Sequence, residues 1–344
     1  MRRRAIAYAL LSAALFGAST PFAKLLVGSV APLALAGLLY LGTGLGLGAW
    51  LAVRRSKIAT PPLRDQPWLA AAILAGGVVG PALLMYGLAR TDGATASLLL
   101  NLEVVFTAAM AWIVFQENVD KRVFMGMLAI AAGGVVLSWE QIPRANSVAG
   151  PLLIGVACLA WALDNNLTRR VSGGDAVAIA TLKGVVAGAV NLGLALALGA
   201  YLPAPGAIAL AGLVGLLGYG ISLVLFIMAL RDLGTARTGA YFSVAPFFGA
   251  GLALVLLGEQ AGAAFWVAAS LMALGVWLHL TERHRHEHAH EPMTHVHEHE
   301  HDEHHQHQHD FQWDGREPHS YTHRHAPQTH RHPHYPDLHH RNRH

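Results

Sequence analysis

Two stretches decide the reading of this chain: Leu11-Ser12-Ala13-Ala14-Leu15-Phe16-Gly17, closed by Lys24, and Val156-Ala157-Cys158-Leu159-Ala160-Trp161-Ala162, closed by Arg169. Each is the interior of an apolar run long enough to cross a bilayer, whose hydrocarbon core takes about 20 residues of helix. Outward from them, further runs fill the chain as far as residue 281. The ten spans are read at about 5–27, 31–53, 68–88, 94–116, 121–139, 149–168, 174–199, 206–230, 238–258 and 263–281. Short loops join them. The expected fold is an all-α polytopic membrane protein with ten transmembrane helices, acting inside or across a membrane.

Composition points the same way, with 53% hydrophobic residues, 13% charged residues and 36 glycines. Glycine is commoner in membrane helices than in soluble ones. Cys158 is the one cysteine, which excludes an intramolecular disulfide. Met1-Arg2-Arg3-Arg4 before an apolar run has the outline of a signal peptide, but Ala18-Ser19-Thr20 is a poor cleavage site and nine spans follow. The first helix is therefore read as uncleaved. With the N-terminus inside, Arg2, Arg3, Arg4, Arg54, Arg55, Lys57, Arg64, Lys121, Arg122, Arg169, Arg170, Arg231 and Arg237 fall on the inner side, against Arg90 and Arg144 outside. Positively charged loops stay cytoplasmic. Both termini are thus expected in the cytoplasm, with the chain multi-pass in the inner (plasma) membrane.

The two opening stretches also align with each other. The fourth span ends Val114-Phe115-Gln116-Glu117 and the ninth ends Leu256-Leu257-Gly258-Glu259, each span preceded by a hinge glycine, Gly93 or Gly234. Residues 1–140 and 141–281 are accordingly read as two five-helix repeats. An odd number of spans per repeat turns the second copy upside down, the arrangement typical of secondary transporters with a midplane site between the halves. Five plus five helices, the paired Glu endings and Pro246 in the ninth helix resemble the EamA branch of the drug/metabolite transporter superfamily, over roughly residues 5–281. That resemblance implies a ten-helix inverted-repeat transporter, often an exporter of amino acids or other small metabolites. One position departs from it. The fourth helix of the family commonly carries a proline matching Pro246, whereas Val104 stands here with Glu103 just before it, leaving no proline to break that helix.

A charged residue at a membrane-helix centre costs about 2.5–3.5 kcal/mol on insertion scales and faces a cavity or a partner. Glu103 lies near the centre of the fourth span beside Asn101, and reads as a proton, cation or substrate-ammonium site, or as a structural partner of Lys183 or an Asn. Asp164, followed by Asn165 and Asn166, cannot share one direction with both; it lines the cavity or joins an interhelical hydrogen-bond cluster or gate. Lys183 sits near the centre of the seventh span, and Lys24 near the outer end of the first, where its stem can reach the interface. Phe16, Tyr86, Trp161, Tyr219 and Tyr241 are candidate walls of a pocket, against the commoner role of packing or interface anchors. Gly42, Gly44, Gly46 and Gly48 give small-residue spacing for close helix contact, within the chain or in a homodimer.

The sequence contains no G-x-x-x-x-G-K-[ST] phosphate loop and no histidine before His279. Nucleotide hydrolysis by that loop and Ser–His or Cys–His catalysis deep in the membrane are thereby excluded, and the chain is not read as an enzyme. From Glu282 the composition changes. All but one of the 22 histidines lie in residues 282–344, a segment too poor in apolar residues to bury a core and expected to be disordered and cytoplasmic. Imidazole suits Zn, Ni, Co and Cu. His284, His286, His288, His290, His295, His297, His299, His301, His304, His305, His307 and His309 are the candidate metal ligands, for sensing or buffering. Eleven acids against seven arginines in the tail also allow a pH response, since protonation near the ordinary imidazole pKa reverses its charge. No cofactor is required.

The expected function is secondary-active export of a small organic metabolite such as an amino acid. The expected partners are the lipid bilayer and a small-molecule substrate, with no nucleic acid. Two rivals stand beside it: a divalent transition-metal transporter, and a non-transporting metal-responsive membrane sensor.

Overall fold

The computed structural model describes residues 2–54, 63–113, 121–145, 148–171, 175–281, 285–290, 294–299, 319–324 and 328–333. Up to residue 281 the described chain is helical: α1 (Arg2–Val27), α2 (Pro32–Val53), α3 (Gln66–Ala72), α4 (Gly80–Leu88), α5 (Gly93–Leu99), α6 (Leu102–Ile113), α7 (Lys121–Ala145), α8 (Ala149–Val171), α9 (Ala176–Ala197), α10 (Pro205–Val214), α11 (Ser222–Phe242), α12 (Ala245–Leu256) and α13 (Ala263–Leu280). Among the described residues, seven segments are long and apolar enough to cross a membrane: Arg4–Val27, Pro32–Val53, Leu63–Leu88, Gly93–Met110, Ala149–Thr168, Ala176–Ala197 and Pro205–Leu230. Three shorter apolar helices, Phe124–Trp139, Ala245–Leu256 and Ala263–Leu278, stand where the fifth, ninth and tenth spans are expected.

The helices associate through small residues, as they must where lipid offers no hydrophobic contrast. A Cβ on Gly37 would run into Leu192, one on Gly44 into Val185, and one on Gly188 into Leu41. Later residues of α2 thus meet earlier residues of α9, and the two helices pack antiparallel. Gly42 abuts Gly212, and Gly46 abuts the side chain of Leu216. Three of the four glycines of the α2 ladder are therefore spent on contacts within the chain.

Four departures from regular helix matter for the site. A π-helical stretch joins α3 to α4 at Ile73–Val79, and a second joins α10 to α11 at Gly215–Ile221. The fourth span breaks between α5 and α6, and the ninth between α11 and α12. The hinge at Gly93 coincides with the start of α5, capped by Asp92, whose Oδ1 accepts the Thr95 N–H at 2.7 Å. The hinge expected at Gly234 does not interrupt the helix, since α11 continues through it to Phe242. A lone glycine costs a helix only about 1 kcal/mol, which neighbouring good helix formers tolerate.

The tail forms a separate unit from about Arg283. Four of its segments pair as two-stranded antiparallel ladders: β1 (Arg285–His290) with β4 (Gln328–Pro333), and β2 (Thr294–His299) with β3 (His319–Arg324). The register sets His286 opposite His332, His288 opposite His330, His295 opposite His323 and His299 opposite His319. Of the candidate ligands, His284, His301, His304, His305, His307 and His309 lie outside the described residues, as does Glu117.

Candidate functional site

The break in the fourth span forms without proline. Asn101 and Glu103 bond back only three residues, Asn101 N–H to the Leu98 carbonyl at 3.0 Å and Glu103 N–H to that of Leu100 at 3.1 Å. The Asn101 side chain reinforces this, donating Nδ2 to the same Leu98 carbonyl at 3.2 Å. A short polar side chain that competes for backbone carbonyls loosens a helix locally. In the ninth span Phe247 N–H likewise reaches back three residues, to Val244, at 3.1 Å. Glu103 is the second residue of α6, and Pro246 is the second residue of α12. Val104 stands thirteen residues before Glu117, as Pro246 does before Glu259, so the fourth span breaks at the matching place without the proline.

Glu103 is half-buried, and its Oε1 accepts a hydrogen bond from Asn165 Nδ2 of α8 at 2.7 Å. It does not pair with Lys183. Lys183 Nζ lies 2.6 and 2.7 Å from the two carboxylate oxygens of Asp164, with Thr168 donating to Asp164 Oδ1 at 2.8 Å. Both partners of this ion pair are buried. The run Asp164-Asn165-Asn166 thus splits three ways. Asp164 turns to α9, Asn165 to α6, and Asn166 back to the Ala162 carbonyl at 2.8 Å. Among the described residues Asp164–Lys183 is the one buried ion pair, and the Glu103 carboxylate has no cation paired with it.

The first π segment supports this arrangement. Widening the turn releases backbone carbonyls from the helix ladder. The Gly76 carbonyl accepts from Tyr40 Oη at 2.7 Å and from Trp161 Nε1 at 2.9 Å, and the Gly77 carbonyl accepts from Asn191 Nδ2 at 3.0 Å. Asp164 packs directly on Gly76, where any Cβ would strike its carboxylate. The second π segment is used in the same way, with Thr43 Oγ1 donating to the Gly215 carbonyl at 2.8 Å and Ser19 resting on Gly218. Gly76→Ala is expected to lower stability by about 1–3 kcal/mol, the usual cost of overpacking. Thermal unfolding of the detergent-solubilised variant checks this; an unchanged midpoint would mean that Asp164 has room to move.

One turn before Asn165, Trp161 enters an aromatic cluster. Phe16 is its hub, with ring centroids 6.0 Å from Trp161, 5.7 Å from Tyr219 and 5.4 Å from Phe242, and Tyr40 lies 5.5 Å from Tyr219. Phe16, Trp161 and Tyr219 are therefore brought together. Tyr86 and Tyr241 are elsewhere: Tyr86 lies under the Arg90 guanidinium, and Tyr241 packs with Ala5, Ala9, Ala229 and Leu233. Sequence reasoning missed Tyr40, Phe242, Thr168 and Gly76. The Gly76-Gly77 pair in mid-span was the one available signal, because glycines there mark close backbone approach.

Lys24 donates to the carbonyls of Leu88 and Thr91, each at 2.7 Å, at the end of the third span. Cys158 Sγ points toward the break, 3.7 Å from the Leu99 carbonyl.

Comparison with known proteins agrees with this architecture. A curated "Uncharacterized transporter" from Methanothermobacter thermautotrophicus is 28% identical over 281 residues, which cover 76% of this chain and 82% of that protein. A solved crystal structure superposes with a TM-score of 0.63 over 80% of this chain and 97% of its own, at 18% identity, a likeness of fold alone. The profile of the EamA-like transporter family matches twice, at residues 3–139 and 148–281. The chain is a multi-pass membrane protein that belongs to the EamA-like transporter family.

Proposed function

We propose that this chain is a secondary-active exporter of a small organic metabolite such as an amino acid, with ten membrane helices in two inverted repeats. The substrate site would lie where Glu103 and Asn165 meet, walled by Phe16, Trp161 and Tyr219. The observation that carries this reading is the Glu103 carboxylate. It begins a half-helix inside a membrane span, is held by a neutral amide from the other repeat, and lacks a cation among the described residues. A carboxylate so placed needs a proton or a substrate ammonium to offset its cost.

Three contacts support alternating helix directions. Lys24 at the end of the first span meets the end of the third, Glu259 after the ninth meets the start of the fourth, and Arg122 before the fifth donates to Thr281 after the tenth at 3.3 Å. Each pair shares one side in the ten-span topology. With the lysine and arginine distribution, this reading puts Glu259 outside and both termini in the cytoplasm. The direct experiment is counterflow of labelled amino acids and amines into proteoliposomes holding the purified protein. Uptake of at least one compound above empty liposomes supports the reading, and none across the panel removes it.

The tail is proposed to bind a divalent transition metal, supported by the facing histidine positions of the two ladders. Truncation after Thr281 should leave the membrane unit inserted and abolish Zn or Ni retention, with binding in the full chain weakening as pH falls through about 6.5 while protons compete for imidazole. Equal metal retention by full-length and truncated protein would remove this role.

A further inference from the structure

The outer end of the bundle holds four hydrogen bonds that the central site does not use. Gly258 adopts φ +64° after α12, and Glu259 follows it, turned toward α5. Its Oε1 accepts the Gly93 N–H and its Oε2 the Ala94 N–H, each at 2.7 Å. A Cβ on Gly93 would lie 2.9 Å from Leu257 and 3.3 Å from Glu259 Oε1, so glycine there leaves the carboxylate its seat. Lys24 of α1 holds the same turn from its other side, through the Leu88 and Thr91 carbonyls. The α4–α5 turn is thus gripped by a cation from α1 and an anion from beyond α12. A cavity of about 140 Å³ opens beside it, lined by Asp92, Thr95, Glu259, Gln260 and Phe265 among others.

All four bonds join a charged side chain to main chain, at an end where both side chains are only half-buried. Such groups rehydrate on separation, so the net cost of parting them is modest. The buried Asp164–Lys183 pair has no such exit. Beneath the grip, α5 leads without interruption to the break at Leu100–Asn101 and so to Glu103.

We propose that Lys24 and Glu259 are positioning residues that form a latch, closing the outer end of the pathway over α5 and releasing in each transport cycle. This rests on the transporter reading above. The test reads accessibility rather than transport, so the two can fail separately.

The background is Cys158→Ala, which leaves no other cysteine. Ser97→Cys reports from below the latch; Ser97 is fully buried and its hydroxyl bonds to the Gly93 carbonyl at 2.7 Å. Ala176→Cys, at the start of α9, reports from the opposite end. A membrane-impermeant maleimide is applied from the outside for the first reporter and from the inside for the second. Glu259→Gln and Lys24→Met are each expected to speed labelling at residue 97 about tenfold, the population change expected for losing a charge-assisted hydrogen bond, without speeding it at residue 176. The proposal is overturned if residue 97 reacts at the parent rate in both variants. Equal acceleration at both reporters also overturns it, because that is general loosening. If Glu259→Gln fails to insert, Lys24→Met alone decides between the same outcomes.

Discussion

Efflux by the Glu103→Gln variant should fall about 10- to 100-fold, the scale of losing one hydrogen bond to a charged group at the reacting site. The amide keeps the size of the side chain, and its oxygen can still accept from Asn165, so insertion and folding are expected to be normal. What disappears is the negative charge. Transport that remains should also lose its dependence on pH between about 5 and 8, because no protonatable carboxylate is left at the site. Counterflow and net efflux in proteoliposomes across that range give both readings. Parent-like rates with a parent-like pH profile would reduce Glu103 to a packing residue that ties α6 to α8.

Lys183→Met is expected to be the most destabilising single change in the membrane unit, by about 3–5 kcal/mol, because it strands Asp164 as an uncompensated buried charge. Asp164→Asn combined with Lys183→Met should recover most of that loss, since neutral groups of similar volume need no counter-charge. Thermal unfolding in detergent measures both. If single and double variants melt alike, the pair contributes packing and no charge compensation. The double variant also separates roles: retained transport would make the pair structural, and lost transport in a stable protein would place it in the pathway.

Much of the membrane architecture was legible because hydrophobic length is a one-dimensional signal. Apolar runs placed most of the helices to within a few residues, though the eighth span continues about twelve residues past its expected end, to Phe242, and the asymmetry of lysine and arginine favoured one orientation. Partner choice was not legible. Glu103, Asp164 and Lys183 each stood out by cost, but cost does not say which acid meets the lysine. That choice is fixed by Gly76, whose missing side chain lets Asp164 approach α3–α4 and turn to α9. The π segments were invisible for a related reason: their sequences remain apolar and helical in pattern, and only the backbone shows the extra residue. The break before Glu103 was hidden because proline was taken as its sole cause, whereas Asn101 serves as well.

The Asp164–Lys183 pair also bears on how the protein is made. Asp164 belongs to the sixth span and Lys183 to the seventh, 19 residues later. Synthesis at roughly 5–20 residues per second brings the lysine along within about a few seconds of the aspartate. In that interval a lone sixth helix would face lipid while carrying an ionisable group, a penalty of up to about 3.5 kcal/mol per charge at the bilayer centre. The two helices are therefore best released from the translocation machinery together, as a hairpin already neutralised within itself. The order of synthesis and the later fold then share one requirement: the charge that would delay the sixth helix is cancelled by the next one to emerge.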